Sequence, residues 1–142
     1  MNEPTITFVG NLASEPEIKF TPTGKAVANL GVVCNPRRYD QTTSQWIDGT
    51  PVFWACEVWG PLGEHAADSL HKGDRVLVTG RVKAYSWTPA DGPNAGVEQK
   101  RTQVLVDELG PSLRFVTTKT IKADRTTDIR NGDDLATAEA PF

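Results

Sequence analysis

Cysteine is scarce in this 142-residue chain: Cys34 and Cys56 stand alone and form no CxxC pair. The histidines, His65 and His71, both fall in a segment that reads as helix, so no zinc-ligand spacing is available. A disulfide-stapled scaffold and a metal site are therefore excluded, and two free, buried thiols are expected. Long apolar runs are missing as well, none approaching the roughly 20 residues that span a bilayer. The start "MNEPTITFVGNL", with an acid and a proline early, does not read as a secretory leader, so a cytoplasmic location is expected.

A basic excess is also lacking. The formal net charge is -3, which argues against a polyanionic partner until the chain is divided. Residues 1–122 hold 13 Lys and Arg against 13 Asp and Glu, whereas residues 123–142 hold two Arg against five acids. The division predicts one neutral domain over 1–122, large enough for a single core, and a disordered acidic tail over 123–142 that has no apolar period.

What is present is strand-like alternation with clear punctuation. "TITFVGNL" (5–12), "AVANLGVVC" (26–34), "PVFWACEVW" (51–59), "DRVLVTGRVKAYSW" (74–87) and "VEQKRTQVLVDEL" (97–109) read as five strands. "SEPEIKFTPTGK" supplies a turn or short hairpin between the first two, 35–50 a protruding hairpin, and 88–96 a loop. Between the third and fourth strands, Leu62, Ala66 and Leu70 recur four apart, with Pro61 before them and Gly73 after, as in one short amphipathic helix. Five strands with a helix in that place is the element order of the all-β oligonucleotide/oligosaccharide-binding (OB) fold, a small, partly open barrel. The fourth strand is long enough to need a bend, for which Gly80 is the place, and "SLRFVTTKTIK" alternates again as a candidate extra C-terminal strand.

Charged residues label the wet face of each strand, because side chains alternate strictly. In the fourth strand Val76, Val78, Gly80, Val82 and Ala84 form the core face, leaving Arg75, Arg81, Lys83, Tyr85 and Trp87 outward. In the third, Trp54, Cys56 and Val58 point in, and Glu57 marks the face of Phe53, Ala55 and Trp59 as exposed. Large rings standing in water among cations match unpaired nucleobases, whose flat faces stack on aromatics while phosphates meet Arg and Lys. Duplex DNA hides those faces, so a single strand, bound with little base preference, is the ligand this pattern points to. An oligomer interface, or cover by the loops at 35–50 and 88–96, fits the same exposure. Arg37 and Arg38 beside Tyr39 repeat the pairing of cation and ring on a loop that could equally be a solvated tip, and Trp46 either joins them or packs under its own hairpin. Lys100 and Arg101, early in the fifth strand, complete the candidate phosphate contacts. A nuclease would need clustered carboxylates or a placed base; Glu57 stands alone among aromatics, so an enzyme is not expected, nor is any cofactor. A protein-binding module on the same fold remains the other alternative.

The stretches "VGNLASEPEIKFTPTGKAVANLGV", "VFWACEVWG", "LHKGDRVLVTGRVKAYSW" and "VDELGPSLRF" closely resemble the bacterial single-stranded DNA-binding proteins, the actinobacterial type above all, over about residues 4–122. The resemblance implies an OB barrel, a homotetramer wrapped by single-stranded DNA, a place in replication, recombination and repair, and a cytoplasmic, nucleoid-associated location. It places Phe53, Trp59 and Trp87 as base-stacking rings and Arg37, Arg38, Arg81 and Lys83 in phosphate-binding zones. It also makes "GPSLRFVTTK" an extra strand that clamps subunits. The family ends in an acidic tip closing on Pro-Phe that docks replication and repair proteins. Here Asp133 and Asp134 sit well back and only Glu139 precedes Ala140-Pro141-Phe142, an ending that a short-tailed paralogue and a phage-encoded member share. Ala55 and Glu57 also depart from the pattern, standing where relatives often carry a basic or neutral polar residue.

Overall fold

The computed structural model describes residues 2–123. Eight strands and one helix form: β1 (Thr5–Leu12), β2 (Glu17–Phe20), β3 (Ala26–Cys34), β4 (Arg37–Asp40), β5 (Gln45–Asp48), β6 (Val52–Trp59), α1 (Pro61–Ser69), β7 (Arg75–Trp87) and β8 (Gln99–Pro111). The five expected strands are β1, β3, β6, β7 and β8, and the helix lies between the third and fourth of them. The segment before β3 makes the short strand β2, and the 35–50 excursion closes as the β4–β5 hairpin.

The main sheet runs β1-β7-β8-β6-β3-β2, and a further β1–β3 pairing closes it on itself. Only the β6–β8 contact is parallel, Cys56 facing Val104 and Glu57 facing Leu105. This ring of five strands with the helix inserted after β6 is the OB barrel.

Alternation decides which side chains fill it. Ala28, Leu30 and Val32 from β3, Cys56 and Val58 from β6, Val76 and Val78 from β7, and Val104 and Val106 from β8 point inward. Val32, Val58, Val76, Val78 and Val104 are completely buried. β-branched side chains suit this role because they lose little freedom on a pleated, half-buried surface. The helix begins with Pro61 in its first turn, where a missing N–H costs nothing, and directs Ala66 and Leu70 into the core. Trp54, on the inner side of β6, stacks on Phe8 with centroids 5.8 Å apart. Cys34 and Cys56 are free as expected, but only Cys56 is fully buried; removal from water, with Cys34 nearby, pushes the Cys56 thiol up to about 12.

Two features of β7 differ from simple alternation. A register shift between Thr79 and Gly80 marks the expected bend. Here β8 crosses so closely that any side chain at Gly80 would meet the Leu105 carbonyl oxygen and the Val106 backbone. Beyond it the strand leaves the barrel: Val82 is half-buried, and Ala84, expected in the core, is exposed. From Ala84 to Trp87, paired with Thr102 to Gln99, β7 and β8 form a two-stranded arm with water on both sides.

The expected extra strand after the barrel does not form. Residues 112–123 hold no strand, and the alternation there instead leaves Leu113, Phe115, Val116 and Ile121 exposed. Alternation makes a strand only where another strand's edge offers hydrogen-bonding partners. Residues Met1–Ser112 form one compact unit, and the tail expected over 123–142 lies, apart from residue 123, outside the described residues.

Replacing Gly80 by alanine forces β7 and β8 apart where neither backbone can yield. The variant is expected to lose about 1–3 kcal/mol of stability, measured as a lowered urea midpoint at fixed protein concentration.

Candidate nucleic-acid interface

The outward face of β6 continues the same alternation: Phe53 is 60% exposed and Trp59 41%, with Ala55 and Glu57 between them. At about 3.3 Å per residue the two rings stand about 20 Å apart along the strand. Each is seated differently. Val33 lies opposite Phe53 in β3, and two residues earlier Gly31 faces Ala55. The Phe53 ring lies against Gly31, its Cζ only 2.7 Å from the place a Cβ would take. A glycine inside a strand is thus explained by a ring that needs its surface, a signal available in the sequence but not used. Trp59 has Val27 opposite it and, one strand further, Lys19. Its indole Nε1–H donates to Glu57 Oε2 at 3.2 Å.

The arm supplies the next two rings. Tyr85 and Trp87, 36% and 47% exposed, lie opposite Arg101 and Gln99 in β8. Lys83 lies opposite Gln103, so Lys83, Tyr85, Trp87 and Arg101 share one face of the arm. Lys100 pairs with Ser86 in the intervening register and projects from the other face. Sequence alone grouped Lys100 with Arg101, whereas the ladder separates them.

Gln103, 8% exposed, is the polar residue that sequence reasoning passed over. With its amide nitrogen turned toward Glu57 it donates to Oε1, and its carbonyl oxygen accepts from Arg101 Nη2 at 2.6 Å. Removal from water and the neighbouring Glu57 carboxylate together raise the Tyr85 phenol above its ordinary value, Arg101 partly opposing them.

Two of the candidate cations already have acidic partners. Arg81 Nη2 reaches Asp107 Oδ1 at 3.1 Å across β7 and β8, and Arg37 Nε reaches Asp48 Oδ1 at 3.0 Å across the β4–β5 hairpin. All four side chains are substantially exposed, and such pairs contribute about 0–1 kcal/mol, so an incoming phosphate can displace either acid at small cost. Arg38 and Lys83 have no ion-pair partner among the described residues. On the hairpin Tyr39 and Trp46 face each other edge to face, centroids 5.5 Å apart, yet remain 48% and 61% exposed. Trp46 therefore packs against its hairpin neighbour without being covered. The candidate tail residues Asp133, Asp134, Glu139, Pro141 and Phe142 lie outside the described residues.

The charge balance is less even than the division at residue 122 suggested. Residues 1–112 hold ten Lys and Arg against 13 acids, and Arg114, Lys119 and Lys122 restore neutrality only in the segment after the barrel. The face just described concentrates rings more than it concentrates positive charge.

The profile of the Single-strand binding protein family matches residues 1–112. A single-stranded DNA-binding protein of Mycobacterium tuberculosis is 45% identical over 137 residues, covering 95% of this chain and 80% of that protein. One from Mycolicibacterium smegmatis is 47% identical over 123 residues, covering 85% and 71%. Among solved structures, the small single-stranded DNA-binding protein of Streptomyces coelicolor superposes with a TM-score of 0.65 at 26% identity, covering 80% of this chain and 97% of that one.

Spectrophotometric titration in a Tyr39→Phe background isolates Tyr85, since the chain has two tyrosines. Its phenolate is expected to form above the ordinary range and to return toward it in Glu57→Ala. An unshifted titration in both proteins contradicts the influence of Glu57 on this phenol.

Proposed function

This chain belongs to the Single-strand binding protein family, and from that premise we propose that it binds single-stranded DNA without regard to sequence and shields it during replication, recombination and repair. The observation that carries the proposal is the set of rings on the outer faces of β6 and the arm. Phe53, Trp59, Tyr85 and Trp87 are left in water by a fold that completely buries Val32, Val58, Val76, Val78 and Val104. Four large apolar surfaces exposed together carry a standing cost in water, which stacked bases remove. Stacking offers no hydrogen-bond readout, so all sequences are accepted, and a duplex, with its base faces already stacked, is not.

Binding needs no chemistry, in keeping with a family of binding proteins, and no cofactor. Cations act first at long range. Lys83, Arg38 and Arg101, with Arg81 and Arg37 once their acids are displaced, attract the phosphates and release counterions. Bases then leave their own stack for the rings, with Tyr39 and Trp46 on the hairpin as a further platform. Lys100 contacts backbone that passes round the edge of the arm. A homotetramer repeats this surface four times, so a strand long enough to wrap it gains avidity from individually modest contacts. The C-terminal Asp133, Asp134, Glu139, Pro141 and Phe142 extend the proposal to recruitment of replication and repair proteins, and a nucleoid location follows from the ligand.

Tryptophan emission is expected to be quenched by oligo(dT) with a defined site size, and much less by duplex of equal length. Trp87→Ala is expected to weaken binding by about 1–3 kcal/mol at every salt concentration. Lys83→Ala should instead flatten the salt dependence by about 0.7 in the slope of log K against log salt. Equal slopes for the two variants would contradict this division between stacking and charge.

A further inference from the structure

Glu57 is the one acid among the rings of β6, on a face proposed to meet a polyanion. A bare carboxylate there only repels phosphates. Its hydrogen bonds give it a different part. One oxygen accepts from the Trp59 indole and the other from the Gln103 amide, which in turn holds Arg101. An ionised carboxylate offers about four acceptor positions, so it can serve both donors at once. Those donors come from two strands, Trp59 from β6 and Gln103 from β8, and the carboxylate also acts on the Tyr85 phenol of β7.

We infer that Glu57 is a positioning residue, its carboxylate fixing the plane of Trp59 and, through Gln103, the guanidinium of Arg101, so that a strand meets them already ordered. This inference rests on the single-strand reading of the same face. The physical gain is entropic. Exposed rings and guanidiniums otherwise sample several rotamers, and a ligand that stacks on them must stop that motion. Held beforehand by charge-assisted hydrogen bonds, they lose little when the base arrives. The parallel β6–β8 pairing makes the arrangement possible, since it brings Glu57 beside Leu105 and within reach of Gln103 two residues earlier.

Electrostatics and positioning predict opposite signs, which makes the inference testable. Wild type, Glu57→Gln and Glu57→Ala are titrated with oligo(dT) across a salt series, following tryptophan emission. Positioning predicts that Glu57→Ala binds about two- to tenfold more weakly at every salt concentration, with an unchanged salt slope, because two or three side chains must now be ordered on binding. Glu57→Gln keeps an acceptor for the indole while removing the charge, and is expected to recover most of the loss. Glu57→Ala that binds as tightly as wild type, or more tightly, shows the carboxylate to be merely repulsive and overturns the inference. Trp59→Phe supplies a second route, since it keeps a stacking ring without the N–H donor. In that background Glu57→Ala should lose part of its effect, and full additivity of the two substitutions overturns the inference independently. Failure of oligo(dT) to quench the wild-type chain would sink the single-strand reading as well, and is distinguishable from loss of the Glu57 effect alone.

Discussion

The strict two-residue alternation of a pleated strand is the constraint on which the rest of this molecule depends. In β6 it sends Cys56 and Val58 into the barrel and Phe53, Glu57 and Trp59 out of it, within eight residues. A slip of one position would drive a carboxylate and two large rings into space that Val58 fills completely, while exposing the valines. Fold and binding face are therefore one pattern read from its two sides. A barrel this thin has no second layer on which a site could be built separately, so each strand serves the core with one set of residues and the surface with the other.

The same constraint explains what was legible in advance. The five barrel strands, the helix beginning at Pro61, the bend at Gly80 and the outward direction of Phe53, Trp59, Tyr85 and Trp87 all follow from parity and punctuation within single segments. Contacts across strands do not, because they depend on register. The bulge at Thr79 and Gly80 displaces β8 against β7 and sets which acid Arg81 meets, while the β6–β8 register sets which amide reaches Glu57. Lys100 and Arg101 illustrate the finer limit. Adjacent in sequence and equally basic, they are separated by the very alternation that made the other assignments possible. After Pro111 the failure is of another kind: period two persists, but a strand also needs an edge to pair with, which the sequence of one segment cannot display.

Electrostatics and stacking contribute unequally on this surface. The barrel residues alone carry more acids than bases, and several of the cations on the binding face already lean on carboxylates or, as Arg101 does, on Gln103. Exposed ion pairs cost little to break, so these cations remain available, but each must exchange a partner and not simply gain one. Rings have no such competitor. In the binding mode proposed above, that difference gives the persistent part of the affinity to Phe53, Trp59, Tyr85 and Trp87 and leaves charge to guide the encounter.

The thiols carry a consequence of their own. Thiolates are the forms that peroxides attack, and the ionisation of Cys56 is suppressed by its place among the valines, while burial raises Cys34 in the same direction. Peroxide would thus find little thiolate to attack in this barrel, and the two cysteines serve its packing and not redox chemistry.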